Sequence, residues 1–216
     1  MSDFRKKFKI SPVKIRFHFL KNPFPRDEME YYDSQYYQWI SRIEKGQERD
    51  HEIVAKITKD LDDEQAELYA EDYFKAIEIS GVMYAALTVA MWSNIESFMK
   101  HLIRICETSG YDKFEGGNHQ INNISDYFKK NLNIKLLDLK NNEIANTLRV
   151  LSNSFKHNNG RYEPDSFPIA ESIKLNFDIE ERRPIKYEQL PFQDLIKGGY
   201  NFCADFKAKV KDCIKE

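Results

Sequence analysis

The most apolar stretch of the chain runs over residues 84–106, where hydrophobic side chains recur at helical spacing. Its polar arc is narrow, made of Ser93, Asn94, Ser97, Lys100, His101 and Arg104, so this segment predicts the central core helix. Glu96 breaks the pattern. It projects beside Val89, Trp92, Met99 and Ile103, on the edge of the apolar face. A buried carboxylate needs a partner or a proton. The expected partners are Arg149 or the amide of Asn153 on a later helix; a packing salt bridge or a rim glutamate reaching solvent are the plainer alternatives.

Upstream, Val13, Ile15, Phe17 and Phe19 alternate with Lys14, Arg16 and His18, which is strand periodicity, and Pro23 and Pro25 end the run. From Arg26 to about Leu61 the period turns helical. Tyr32, Tyr36, Trp39, Ile40 and Ile43 form one stripe, Ile53, Val54, Ile57 and Leu61 another, with Gly46 as a break or bend between them. The cluster of Tyr31, Tyr32, Tyr36, Tyr37 and Trp39 could stack bases, but aromatics at helical spacing also serve as packing. Asp62-Asp63-Glu64 starts a further helix through Ile77, and Ser80-Gly81 marks a kink or short interruption before the core helix.

Residues 107–124 form a polar loop, after which Ser125 can cap a short helix through Tyr127, Phe128 and Leu132. The next helix begins near Asn141 or Asn142. Ile144, Leu148, Leu151 and Phe155 share one face. At roughly 100° per residue, Arg149, Asn153, Lys156 and His157 fall within an arc of about 100° on the far side. Asn158-Asn159-Gly160 ends the helix, because Asn and Gly tolerate the left-handed conformation. Beyond Arg161, Ile173, Leu175, Phe177 and Ile179 alternate before Glu180-Glu181-Arg182-Arg183, followed by Ile185 and Tyr187. This predicts a β-hairpin whose second strand, with Pro184, is an edge. Pro191 then opens a final amphipathic helix through Cys213.

Composition narrows the function classes. Hydrophobic residues make up 41% of the 216, enough for a core without disulfides, and the formal charge of -2 argues against wholesale nucleic-acid coating while leaving room for a local basic patch. Three cysteines, Cys106, Cys203 and Cys213, form no C-x-x-C pair, which suits a reducing cytoplasm and gives no zinc signature. The basic N-terminus lacks an apolar signal-peptide core, and no run approaches a transmembrane span, so neither export nor membrane insertion is expected. Gly116-Gly117 and Gly198-Gly199 lack the context of a phosphate loop, no metal-ligand spacing occurs, and Ser152 and Ser154 have no nucleophile elbow. Cys106 with His101 nearby is a weak pair.

What remains is a metal-free cluster of Arg149, Asn153, Lys156 and His157 at a helix end. An imidazole between a helix C-terminus and neighbouring cations is suited to general acid–base work. Such a cluster fits RNA cleavage through the ribose 2′-OH: a base removes the hydroxyl proton and a cation stabilises charge building at phosphorus. A two-fold dimer would bring a second histidine to the same phosphate. The alternative is that the cluster is only the solvated face of a core helix.

Residues 85–98 and 148–161 together resemble the HEPN (higher eukaryote and prokaryote nucleotide-binding) superfamily. Asn153-Ser154-Phe155-Lys156-His157 matches the Asn-x-x-x-His part of its motif, and Glu96 matches an acidic residue common on the partner helix. The following Asn-Asn-Gly-Arg, hairpin and C-terminal helix resemble one branch. The resemblance spans roughly residues 65–215. It implies a mainly α, HEPN-like helical bundle over 63–216, with a small β-hairpin between the motif helix and the C-terminal helix. Residues 1–62 would be an N-terminal extension of strand plus helices packed on the bundle.

Many family members are dimeric, metal-independent endoribonucleases of toxin–antitoxin and antiviral defence systems. The implied catalytic residues are His157, Arg149, Asn153, Lys156 and Glu96; Arg161, Asn158 and Lys156 would bind RNA, with no cofactor or metal. RNA, a second copy, and an antitoxin or defence-complex protein are the implied partners. The sequence departs at one point: Ser152 stands where the family has its arginine, and Arg149 has seven residues between it and His157, just outside the family's spacing. The alternatives for the cation are Arg149 from one turn away, Lys156 and Arg161. The competing readings are a site that keeps RNA or protein binding without catalysis, and a helical structural subunit.

Overall fold

The computed structural model describes residues 26–59, 63–116, 121–163, 169, 174, 179–180 and 182–215. They form a mainly helical bundle: α1 (Arg26–Thr58), α2 (Asp63–Thr108), α3 (Ile121–Leu132), α4 (Asn142–His157) and α5 (Phe192–Lys215). Short 3-10 turns at Leu136–Asp138 and Tyr187–Gln189 lead into α4 and α5. Among the described residues there is no strand, and no helix is long and apolar enough to cross a membrane.

The helices are longer than their glycines imply. Gly46 lies inside an unbroken α1, with nothing within 4 Å of where its Cβ would stand. Its cost there is about 1 kcal/mol relative to alanine, too little to end a helix held by tertiary packing. Likewise Ser80 and Gly81 do not interrupt α2, which runs for 46 residues, or about 69 Å. Ser80 is buried, and Gly81 lets the Glu188 carboxylate approach to 3.1 Å from its absent Cβ. α3 starts at Ile121, four residues before the Ser125 expected to cap it.

The core joins α2, α3, α4 and α5. Leu87, Met99, Leu102, Phe128, Leu148, Leu151, Leu195 and Phe206 are almost wholly excluded from solvent. Phe128 meets Phe206 edge-on, with centroids 4.6 Å apart. α5 approaches α4 through Gly198 and Gly199. A Cβ on Gly198 would lie 2.6 Å from Ile144 Cγ2, so the diglycine, with no phosphate-loop context, serves close helix packing. α1 lies against α2 and α5 and adds Ile40 and Ile43 to the same core. The Asn94 amide donates to the Tyr36 hydroxyl, and Tyr37 donates to the Gln193 carbonyl at 3.5 Å. Two of the α1 tyrosines are thus structural links, while Trp39 remains half exposed.

The expected β-hairpin is not seen. Most of its first strand, and the strand expected over 13–19, lie outside the described residues. Ile185 and Tyr187 do not continue as a second strand. Arg161 instead makes an isolated antiparallel bridge with Pro184, and Tyr187 opens a 3-10 turn. Proline has no N–H, so the bridge is carried by its neighbours: Ile185 donates to the Gly160 carbonyl (2.8 Å), Tyr162 to Arg183 (3.1 Å) and Arg182 to Tyr162 (2.7 Å).

Candidate functional site

α4 is the helix on which the candidate residues sit, and its two ends differ. It is covered around most of its circumference: Ala145, Thr147, Leu148, Arg149, Val150, Leu151, Ser152 and Ser154 are all buried. Asn141 precedes it at φ 57°, with its carbonyl accepting from Ile144 and Ala145, and its side chain makes no capping bond. At the other end Asn159 (φ 51°) and Gly160 (φ 73°) turn the chain back, and the Ser154 carbonyl accepts from both Asn158 and Gly160. The Tyr187 hydroxyl donates to the Leu151 carbonyl at 2.8 Å, and its ring meets Phe155 edge-on at 6.0 Å. Burial raises the Tyr187 phenol above its ordinary pKa. These contacts clamp the last turns of α4 while leaving its tip open.

At that tip Lys156 and His157 are exposed, Asn158 half-buried and Arg161 exposed. Among the described residues, no hydrogen bond or ion pair engages the His157 ring. The bridge to Pro184 lays a second basic segment beside this end: Arg182, Arg183 and Lys186 are all exposed, and Arg161 Nη1 donates to the Arg182 carbonyl at 3.3 Å. Arg182 holds φ 62°, a left-handed conformation uncommon for a long side chain. Glu180 offsets part of the charge through Arg183, Oε2 to Nε at 2.6 Å. Lys174 lies 6.0 Å from the centre of the buried Tyr162 ring. Arg182, Arg183 and Lys186 were not among the sequence candidates; the Arg-Arg-Pro turn was their only signal.

Arg149 departs from the expected exposed arc. It is 8% exposed, and its Nε donates to Asn146 Oδ1 at 3.1 Å, one turn toward the start of α4 and away from His157. His157 is eight positions beyond Arg149, a rise of about 12 Å along the helix. Asn153, between them, is half-buried. Glu96 also finds a different partner from either one expected. It pairs with Lys100 on its own helix, Nζ to Oε1 at 2.5 Å, both about a third exposed. An exposed pair at that spacing is worth about 0.3–0.5 kcal/mol.

Ser152, at the family's arginine position, is wholly buried, and its hydroxyl has no hydrogen-bond partner among the described residues. That position faces the interior and supplies nothing to solvent. The cysteines are equally withdrawn: burial first, then nearby Cys213, pushes the Cys106 thiol up to about 12, and burial raises Cys203. Neither is poised as a nucleophile. Among the described residues, no three of His, Cys, Asp and Glu gather as a metal site. His119 lies outside the described residues.

Arg149 lines a cavity of about 660 Å³ bounded by α2, α3, α4, α5 and the first 3-10 turn. Two places on α4 can therefore meet a ligand: an exposed cationic tip bearing His157 and a recessed pocket bearing Arg149. Comparison with family models, curated proteins and solved structures finds no match to this chain.

Proposed function

We propose that the chain is a HEPN-like, metal-independent endoribonuclease of prokaryotic defence or toxin type, acting on RNA as a homodimer at the exposed tip of α4. The observation that carries this reading is His157 exposed at the end of α4, with Lys156 and Arg161 exposed near it in sequence and Arg182, Arg183 and Lys186 exposed on the segment that bridges to Arg161. The cations would hold the phosphate backbone, with Asn158 beside them. His157 would take the proton of the ribose 2′-OH as that oxygen attacks phosphorus. The bond to the 5′ oxygen breaks, and the products are a 2′,3′-cyclic phosphate and a 5′-OH end. The departing oxygen needs a proton, which the His157 of a second copy would supply. Lys156 or Arg161, rather than the recessed Arg149, would stabilise charge on the phosphorane.

The test is cleavage of single-stranded RNA in EDTA. Wild-type protein should leave cyclic phosphate ends, and His157→Ala should abolish turnover with the fold intact. Cleavage surviving that substitution would refute the role of His157. Expression of the wild-type chain should arrest growth, with His157→Ala relieving it. A second reading, a HEPN-like RNA- or protein-binding module without catalysis, is favoured by the burial of both Arg149 and Ser152. It expects RNA retention that weakens with salt, a slope of about -0.7 per phosphate contacted on single strands, and no cyclic ends.

A further inference from the structure

The cavity beside Arg149 lies at the other end of α4 from the cationic tip and has its own chemistry. Its volume, about 660 Å³, falls within the range of small-molecule sites. Trp92 and Phe202, 6% and 1% exposed, give it a flat aromatic wall, and Leu136 extends that wall. Arg149 also lines it, recessed at 8% exposed, with Nε donating to Asn146 Oδ1. The lining carboxylates, Asp126 and Glu143, are exposed at the rim, where water screens them. The recessed charge is positive. Leu137 also lines the cavity, 70% exposed.

A guanidinium held beside aromatic surface matches one kind of ligand: an anionic head on a flat apolar body. We propose that this cavity binds a small organic anion, its carboxylate, sulfonate or phosphate on Arg149 and its rings against Trp92 and Phe202. The ligand covers Leu137 and loses most of its apolar surface to the cavity. The site does not depend on the reading of His157, and Arg149 serves it in place of the ribonuclease chemistry.

Two fluorescent probes with the same rings test this. 8-Anilinonaphthalene-1-sulfonate carries the anion, and N-phenyl-1-naphthylamine lacks it. In a Trp39→Phe background, which leaves Trp92 as the energy donor, the sulfonate should bind at a single saturable site and quench Trp92. It should bind about tenfold or more tightly than the neutral dye, the value of one charge-assisted hydrogen bond. Arg149→Gln should remove that preference. Leu137→Ser, at an exposed position that the fold does not need, should weaken both dyes. Equal affinity for the two dyes would overturn the anion site. So would sulfonate binding unchanged by Leu137→Ser, or binding lost instead on Met83→Ser, which would place the dye on the exposed α2 stripe of Ile79, Val82 and Met83. RNA cleavage is not a readout here, so failure of one proposal leaves the other standing.

Discussion

The middle and the end of α4 both carry basic residues and put them to opposite uses. Midway along it, Arg149 is folded into the protein and held by a bond to Asn146. At its end, Lys156 and His157 project into water beside a second basic segment. A recessed cation is held rigidly and recognises shape as well as charge. An exposed one is mobile, screened and suited to a polyanion that slides across it. The contrast teaches that membership of one helical arc does not place residues in one site.

The sharpest break between the two is functional. His157→Ala should lower RNA cleavage by about 100-fold or more while moving stability by less than about 0.5 kcal/mol, because the side chain is exposed. Matched cleavage assays and urea unfolding check this. A large loss of stability would mean that the tip is structural after all.

Gly198→Ala probes the buried side of α4. The added Cβ meets Ile144 Cβ and Cγ2 at 2.9 and 2.6 Å, so one helix must shift; a loss of about 1–3 kcal/mol is expected despite the better helix propensity. Chemical denaturation measures it, and unchanged stability would show that the two helices are not in close contact.

Tyr187→Phe loosens the clamp between the two regions by removing the bond to Leu151, at a cost of about 0.5–1.5 kcal/mol. The change also has a pH signature. The folded phenol is raised above its ordinary value of 10.0, so its contribution is full below pH 10.0 and is lost as the unfolded chain ionises above it. The wild type should weaken between neutral pH and pH ~11, and the variant should weaken less. Urea midpoints at the two pH values decide this.

The smallest effect is expected at Ser152. Replacing its unpartnered hydroxyl in Ser152→Ala should leave stability unchanged or raise it by about 1 kcal/mol, with RNA cleavage unaffected. Thermal unfolding and the cleavage assay test both parts, and loss of cleavage would restore a role for the motif position.

Much of the helical architecture was legible because apolar spacing reports burial directly. The stripe of Ile144, Leu148 and Leu151 and the Asn-Asn-Gly stop set α4 with its end at His157. Breaks were less legible. Gly46 and Gly81 carry a local penalty that long packed helices absorb, so of the break or bend expected at one and the kink or interruption at the other, neither interrupts α1 or α2. The partner of Glu96 was also misread: a lysine four residues away on the same helix reaches it at little entropic cost, whereas a residue on another helix must be brought to it.

The sequence by itself determined a helical chain with a basic, histidine-bearing end to one amphipathic helix, because those properties depend on residues a few positions apart. Only the tertiary structure decided which cations stand in water. Arg149 is drawn inside because α2, α3 and α5 close around the first turns of α4, and Arg182 and Arg183 come to its tip because the chain returns to pair beside Arg161. Burial is a property of what packs from elsewhere in the chain, and no helical period carries that information.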